Sequence, residues 1–157
     1  MDDDINTLRR ILQENRVLAI VGLSASWHRP SYFAAKYMLE HCYRVIPVNP
    51  QYTEVLGQKC YASLRDIPEK VDLVDVFRKT ADVMPVADDA IAIGARVLWQ
   101  QLGVKNQEAA ARARAAGMET VLDRCVKIEH GRLFGGLNWV GVNTRVVSAK
   151  RPRWLPY

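Results

Sequence analysis

The stretch V-L-A-I-V-G-L-S-A-S-W-H-R-P, residues 17–30, decides how the chain folds. Val17 to Val21 is an unbroken apolar run, which is short for a helix and typical of a strand buried on both faces of a parallel sheet. Gly22 and the small residues after it predict a tight turn, and Pro30 stands where a helix would begin. A strand, a small-residue turn and a helix N-terminus present backbone N–H groups to a phosphate. We therefore expect a nucleotide-like ligand to bind here through its diphosphate.

Composition excludes several other classes of protein. The 157 residues, 49% hydrophobic and 25% charged, suit one globular domain. Apolar runs are too short for a membrane span, and the acidic start, Met1 to Asp4, is unlike a signal peptide, so we expect a cytoplasmic protein without a membrane partner. The net charge of +5 comes from residues 131–157, which carry basic and no acidic residues. This concentration in one segment argues against a nucleic-acid partner for the domain itself.

The cysteines and histidines show neither metal-ligand spacing nor a disulfide framework, so we predict no metal site. Cys125 differs from the other cysteines because it follows a predicted strand and is preceded by Arg124. The charge of Arg124 could lower the pKa of this thiol and make it reactive toward another thiol. An inert packing role is the alternative.

Strand and helix patterns alternate along the chain. Asp4 is a candidate helix N-cap, and the helices predicted after it cover residues 31–43, 80–93 and 107–116. The predicted strands are residues 17–21, 44–50, 59–62, 71–77, 96–100 and 119–122, with a capped turn at 63–66. This alternation predicts an α/β fold with a mostly parallel sheet in the strand order 3-2-1-4-5-6. The ligand crevice then lies at the carboxyl ends of the first and fourth strands, where the order reverses.

Three groups of residues converge on that crevice: the turn residues Gly22, Ser24, Ala25 and Ser26, the corner Asn49-Pro50, and the segment Phe77-Arg78-Lys79. Arg29 could reach a diphosphate, and Trp27 could either cover an adenine or simply pack. Asp75 lies near the same edge, where we expect an edge or salt-bridged carboxylate rather than a ligand contact.

The ligand is not predicted to be a nicotinamide dinucleotide. The G-x-G-x-x-G fingerprint is absent, since only Gly22 matches it. Asn49 and Pro50 also stand where a ribose-binding carboxylate would end the second strand.

Several segments in register carry a family resemblance: G-L-S-A-S-W-H-R-P-S (22–31), V-I-P-V-N-P (45–50), G-Q-K-C-Y-A-S-L-R-D-I-P (57–68), V-D-V-F-R (74–78), A-I-G-A-R-V-L-W-Q-Q-L-G-V-K-N (92–106) and D-R-C (123–125). Together they resemble the small single-domain bacterial CoA-binding proteins, which are similar to the N-terminal CoA-binding domain of the succinyl-CoA synthetase α subunit. The resemblance covers about residues 10–130 and implies a Rossmann-like three-layer fold and coenzyme A as ligand.

The resemblance also implies roles for individual residues. Ser24, Ala25, Ser26 and Trp27 correspond to the phosphate loop, Pro50 flanks the adenine or ribose, and Trp99, Gln100 and Gln101 lie along the pantetheine path. The 3′-phosphate of CoA needs a basic partner, for which Arg29, Arg78 and Lys79 are candidates. A solvated helix entrance is the alternative for Arg78 and Lys79.

We therefore predict a CoA-binding domain at 1–130 followed by a basic, aromatic tail at 131–157. The resemblance covers only the CoA-binding part of the synthetase, so no strong case for catalysis arises and no catalytic residue is predicted. The expected function is binding of CoA or an acyl-CoA. Alternatives are a CoA-site subunit of a separate ligase or acyltransferase, and a redox protein that carries CoA as a mixed disulfide. A homodimer or a partner enzyme fits either.

Overall fold

The computed structural model describes residues 4–135, in which a parallel sheet is covered by helices on both faces. The helices are α1 (Ile5–Glu14), α2 (Pro30–Glu40), α3 (Val83–Ala92), α4 (Gln107–Ala115) and α5 (Val126–Phe134). The strands are β1 (Val17–Val21), β2 (Arg44–Val48), β3 (Glu54–Val55), β4 (Gln58–Lys59), β5 (Leu73–Val76), β6 (Val97–Gln100) and β7 (Glu119–Val121). Short 3-10 turns occupy Leu64–Asp66 and Thr80–Asp82.

The main sheet has five parallel strands in the order β2-β1-β5-β6-β7, and this Rossmann-like α/β architecture confirms the predicted fold class. The predicted third strand of the six is reduced to a single parallel bridge between Val48 and Tyr61. The preceding segment pairs with itself as the hairpin β3-β4 instead of extending the sheet. Pro47 contributes a further reason, because it accepts the Tyr61 N–H but has no N–H of its own to donate to a neighbouring strand.

Alternating side chains divide the core between the two faces of the sheet. Leu18 and Ile20 of β1 pack with residues of α1, α2 and α5, whereas Ala19 and Val21 pack with residues of α3 and α4. The predicted cap of α1 is confirmed, since the Asp4 carboxylate accepts the N–H groups of residues 6 and 7 at 2.8 and 3.2 Å. Helices therefore cover both faces of the sheet, and the connecting loops form its carboxyl edge.

Helix α5 is an element that the sequence patterns did not predict. It packs against α1 and α2, and it runs through Phe134, so the predicted domain boundary at residue 130 falls inside a helix. The rest of the predicted tail, from residue 136, lies outside the described residues. Within residues 4–135, no helix has the length and apolar character needed to cross a membrane.

Candidate functional site

The turn after β1 can only begin with a glycine. Gly22 has a φ of +85°, and its N–H donates to the Val48 carbonyl of β2 at 2.8 Å. A Cβ on Gly22 would lie 2.3 Å from the carbonyl oxygen of Phe77, just after β5. The turn is thus wedged between the ends of β2 and β5, where the strand order reverses.

Serine side chains hold the shape of this turn. The Ser31 hydroxyl oxygen accepts the N–H of Ser24, and the Ser24 hydroxyl oxygen accepts the N–H of Ser26, both at 3.1 Å. The Ser26 carbonyl in turn accepts the N–H of Arg29 at 3.0 Å. Because a hydroxyl that accepts a hydrogen bond still has a proton to donate, the Ser24 hydroxyl can shape the turn and also face an anion.

Asn49 connects the turn to the end of β2. Its buried side chain donates from Nδ2 to the Leu23 carbonyl at 3.1 Å, while its Oδ1 accepts the N–H of Gln51 at 3.0 Å. The amide therefore braces two loops against each other, and Pro50 beside it is exposed. In the structure Asn49 links the turn to the corner, and its contact with a ligand stays a prediction.

The segment after β5 reaches the same place. The N–H of Phe77 donates to the Val21 carbonyl at 2.9 Å, and Nε of Arg78 lies 3.3 Å from the position of a Cβ on Gly22. Arg78, Lys79 and Arg29 are exposed, and none of them forms an ion pair with any residue between 4 and 135. The structure thus brings together the three groups of residues that the sequence placed at the crevice.

Trp27 stands at the outer side of the turn. Its side chain is 72% exposed and meets the ring of His28 edge-on, with 5.9 Å between ring centroids. The indole is largely in solvent and does not pack into the core, and a contact of Trp27 with an adenine stays a prediction.

Trp99, Gln100 and Gln101 lie at the carboxyl end of β6, and all three are buried. Trp99 Nε1 donates to the Arg124 carbonyl at 2.7 Å, and the Gln100 amide exchanges hydrogen bonds with the backbone of Asn106 at 2.6 and 3.0 Å. The polar groups of these three side chains form hydrogen bonds with other residues of the protein, so the residues lie buried beneath the carboxyl edge of the sheet. Their place along a pantetheine path stays a prediction.

Asp75 is not the edge or salt-bridged carboxylate that we expected. It is fully buried in β5, a central strand between β1 and β6, where its Oδ1 accepts from Gln101 Nε2 at 2.6 Å. Its Oδ2 has no hydrogen-bond partner in the described part of the chain. Burial raises the pKa of Asp75 to about 8, so the carboxyl is largely protonated at neutral pH.

The expected effect of Arg124 on Cys125 is wrong. The Arg124 guanidinium pairs with the buried Glu129 at 3.2 Å, and Glu129 also pairs with Arg132. Burial raises the pKa of the Cys125 thiol, and backbone N–H groups of the first turn of α5 oppose that shift. Above about pH 8, where Asp75 is ionised, its charge adds to the shift. Glu129 belongs to α5, so the error follows directly from the missed helix.

A metal site and two surface grooves were considered as alternatives to the carboxyl edge of the sheet. Residues 4–135 contain no cluster of three His, Cys, Asp or Glu side chains able to hold a metal ion. Two surface grooves border α3 and α4, away from the turn after β1; one reaches the amino ends of β6 and β7, and neither is lined by residues 22–29. The carboxyl edge of the sheet is therefore the place where loop geometry and free cations coincide.

A sequence model described as a CoA binding domain matches residues 16–131. The chain belongs to this CoA-binding domain family. The domain is similar to the uncharacterised protein YneT of Bacillus subtilis, at 37% identity over 123 residues that cover 78% of this chain and 91% of YneT. A hypothetical protein from Pyrococcus horikoshii has a solved structure with a TM-score of 0.82 and 44% identity, covering 84% of this chain and 93% of that one.

A longer relative of this CoA-binding domain is an enzyme. The ADP-forming acetate–CoA ligase of Methanocaldococcus jannaschii is 34% identical over 56 residues, which cover 36% of this chain and 8% of the ligase. The shared segment is thus a small part of that ligase.

Proposed function

We propose that the protein binds coenzyme A, free or as an acyl-CoA, at the carboxyl edge of its sheet, and that it acts as a binding or regulatory protein rather than as an enzyme. Membership of the CoA-binding domain family supports the ligand. The observation that carries the location is the glycine turn packed between the ends of β2 and β5, with unpaired cations beside it.

The turn supplies donors suited to a diphosphate. Among the described residues, the backbone N–H groups of Ala25, Trp27 and His28 have no hydrogen-bond acceptor. They directly precede α2, whose N-terminus adds the positive end of its dipole. Since Ser31, Ser24 and Asn49 already hold the turn in place, an anion would bind to donors that need little reordering.

The cations supply the charge that a third phosphate requires. Arg29 leads into α2, while Arg78 and Lys79 follow β5, so they approach the turn from two different strand ends. Nε of Arg78 lies 3.3 Å from the position of a Cβ on Gly22, so its guanidinium lies beside the turn. An arginine beside a phosphate forms charge-assisted hydrogen bonds, and we assign Arg78 to the phosphates of CoA on this ground.

Isothermal titration calorimetry with CoA, 3′-dephospho-CoA and NAD tests the proposal. We expect CoA to bind and NAD not to bind, and we expect Arg78→Ala to weaken CoA binding by roughly tenfold or more, as loss of a charge-assisted hydrogen bond predicts. Arg96→Ala is the matched control, because Arg96 is also exposed but precedes β6 at the opposite edge of the sheet. Tight NAD binding without CoA binding, or equal losses in the two variants, would refute the proposal.

A second candidate function is a CoA-site subunit of a separate ligase or acyltransferase, and the similarity to part of an ADP-forming acetate–CoA ligase favours it. In that case native mass spectrometry of freshly purified protein would show a stoichiometric second polypeptide. A CoA-loaded homo-oligomer or monomer that forms no acyl-CoA from ATP, acetate and CoA would favour the binding protein.

A further inference from the structure

A thiol and a buried carboxyl lie together at the carboxyl edge, and the binding proposal uses neither. Asp75 pairs with Trp99 in the register of β5 and β6, on the sheet face that α5 covers, and α5 begins directly after Cys125. Asp75 is 0% exposed, yet its Oδ2 has no hydrogen-bond partner among residues 4–135. Buried polar atoms are nearly always paired, so this oxygen marks a place prepared for a polar or ionisable partner.

The backbone holds Cys125 firmly in this place. Arg124, the residue before it, donates its N–H to the Gln100 carbonyl at 3.3 Å and accepts from Trp99 Nε1 at 2.7 Å. The carbonyl of Cys125 accepts the Glu129 N–H at 2.9 Å, which begins α5. The thiol is half-buried and forms no disulfide, so it is fixed between the end of β6 and the start of a helix.

We propose that Cys125, beside Asp75, is a modification site at which the protein holds coenzyme A covalently, as a mixed disulfide with the sulfur of the pantetheine arm. This inference rests on the proposed function, because the turn after β1 binds the nucleotide end of the same molecule. CoA is long enough to join two such places, since its thiol ends a flexible arm. The group that Cys125 binds is therefore the thiol at the end of the pantetheine arm, while the nucleotide end of the same CoA molecule binds at the turn after β1.

The covalent step is a thiol–disulfide exchange with a CoA disulfide as co-reactant. The Cys125 thiolate attacks one sulfur of CoA–S–S–CoA, so a Cys125–S–S–CoA bond forms while the original S–S bond breaks. The departing CoA thiolate takes up the proton that Cys125 has lost. Cys125 is oxidised, the leaving CoA is reduced, and no further oxidant is needed.

Electrostatics makes this exchange selective for a bound partner. Burial and Asp75 on β5 raise the pKa of the Cys125 thiol, Lys127 on α5 acts in the opposite direction, and Arg124 is engaged with Glu129. A thiol with a raised pKa contains little thiolate and reacts slowly with disulfides that merely collide with it. A CoA disulfide bound at the crevice has a much higher effective concentration, so it is expected to react faster than an unbound disulfide.

Intact-mass spectrometry of the full chain with CoA disulfide tests the inference, followed by peptide mapping. We expect one CoA per chain at Cys125, removed by dithiothreitol and absent in Cys125→Ser, with labelling at least about tenfold faster than by glutathione disulfide at equal concentration. Cys42→Ser is the control, because Cys42 is exposed and lies just before β2, at the amino edge of the sheet. CoA found only on Cys42, or equal rates with the two disulfides, would overturn the inference.

Asp75→Asn separates an electrostatic role of Asp75 from a structural one. Above about pH 8, where Asp75 is ionised, its charge raises the thiol pKa, so in Asp75→Asn the midpoint of the rate–pH profile of Cys125 modification should move to lower pH. An unshifted midpoint would contradict a coupled pair. CoA titrations of the dithiothreitol-reduced wild type distinguish the two proposals: measurable affinity without labelling by CoA disulfide refutes only the covalent step, whereas absent affinity refutes the binding function itself.

Discussion

Replacing Gly22 by alanine should destabilise the protein through two separable terms. The first is conformational, because an L-residue at a φ of +85° costs roughly 1–2 kcal/mol. The second is steric, because the new Cβ would lie 2.3 Å from the carbonyl oxygen of Phe77, which is backbone and cannot rotate away. Relieving such an overlap in a packed structure costs roughly another 1–3 kcal/mol, so we expect a total loss of about 2–5 kcal/mol.

Gly117→Ala isolates the conformational term. Gly117 has nearly the same φ, +89°, but a Cβ there would meet no atom within 4 Å. We therefore expect it to lose only roughly 1–2 kcal/mol. The difference between the two variants measures the contact between the turn and the end of β5.

Urea unfolding followed by far-ultraviolet circular dichroism measures both losses, with the slope on urea checked for a constant value. CoA binding is then measured by calorimetry without urea, at a temperature at which Gly22→Ala is folded. Gly22→Ala should weaken CoA binding, and Gly117→Ala should not. Equal losses of unfolding free energy in the two variants would refute the packing of the turn against β5.

Three further predictions concern buried groups. Between about pH 4 and about pH 8 the unfolding free energy of the wild type should fall relative to Asp75→Asn, because the folded carboxyl, with a pKa of about 8, keeps a proton that the unfolded chain releases; parallel urea midpoints would contradict this. Burial lowers the pKa of His130 to about 4, so stability should be lost as pH falls from about 6.5 to about 4, where the unfolded chain binds the proton first; a His130→Gln variant with the same acid dependence would argue against it. Trp99→Phe should cost about 1–3 kcal/mol by leaving the Arg124 carbonyl without its donor, whereas Trp27→Phe, at a 72% exposed position, should leave the urea midpoint unchanged.

Local signals were sufficient to predict much of the fold. The cap at Asp4 and the Ser63–Asp66 pairing in the first 3-10 turn each depend on residues within one turn of chain. The apolar run of β1 predicted a strand because an unbroken apolar run suits the centre of a parallel sheet, and four of its five residues are buried. The convergence of the loops at the crevice then followed from topology alone.

What the sequence could not predict depended on distant partners. Asp75 looked like an edge carboxylate because its burial is decided by β1 and β6 on either side. Arg124 looked free to act on Cys125 until α5 supplied Glu129. Helix α5 itself has a glycine at Gly131 within its short length, and its stability comes from packing on α1 and α2 rather than from intrinsic preference.

The lone bridge between Val48 and Tyr61 has a practical consequence for handling this molecule. Exposed edge strands can pair with other chains and start aggregation. At the edge of β2, Pro47 and the bridge to Tyr61 interrupt the row of backbone hydrogen-bonding groups that another strand would need. The tip of the β3-β4 hairpin, at Gly57, has open space around it and lies beyond that edge. An epitope or a surface-attachment peptide inserted at the tip should be tolerated, which would let the protein be immobilised with its crevice facing the solution.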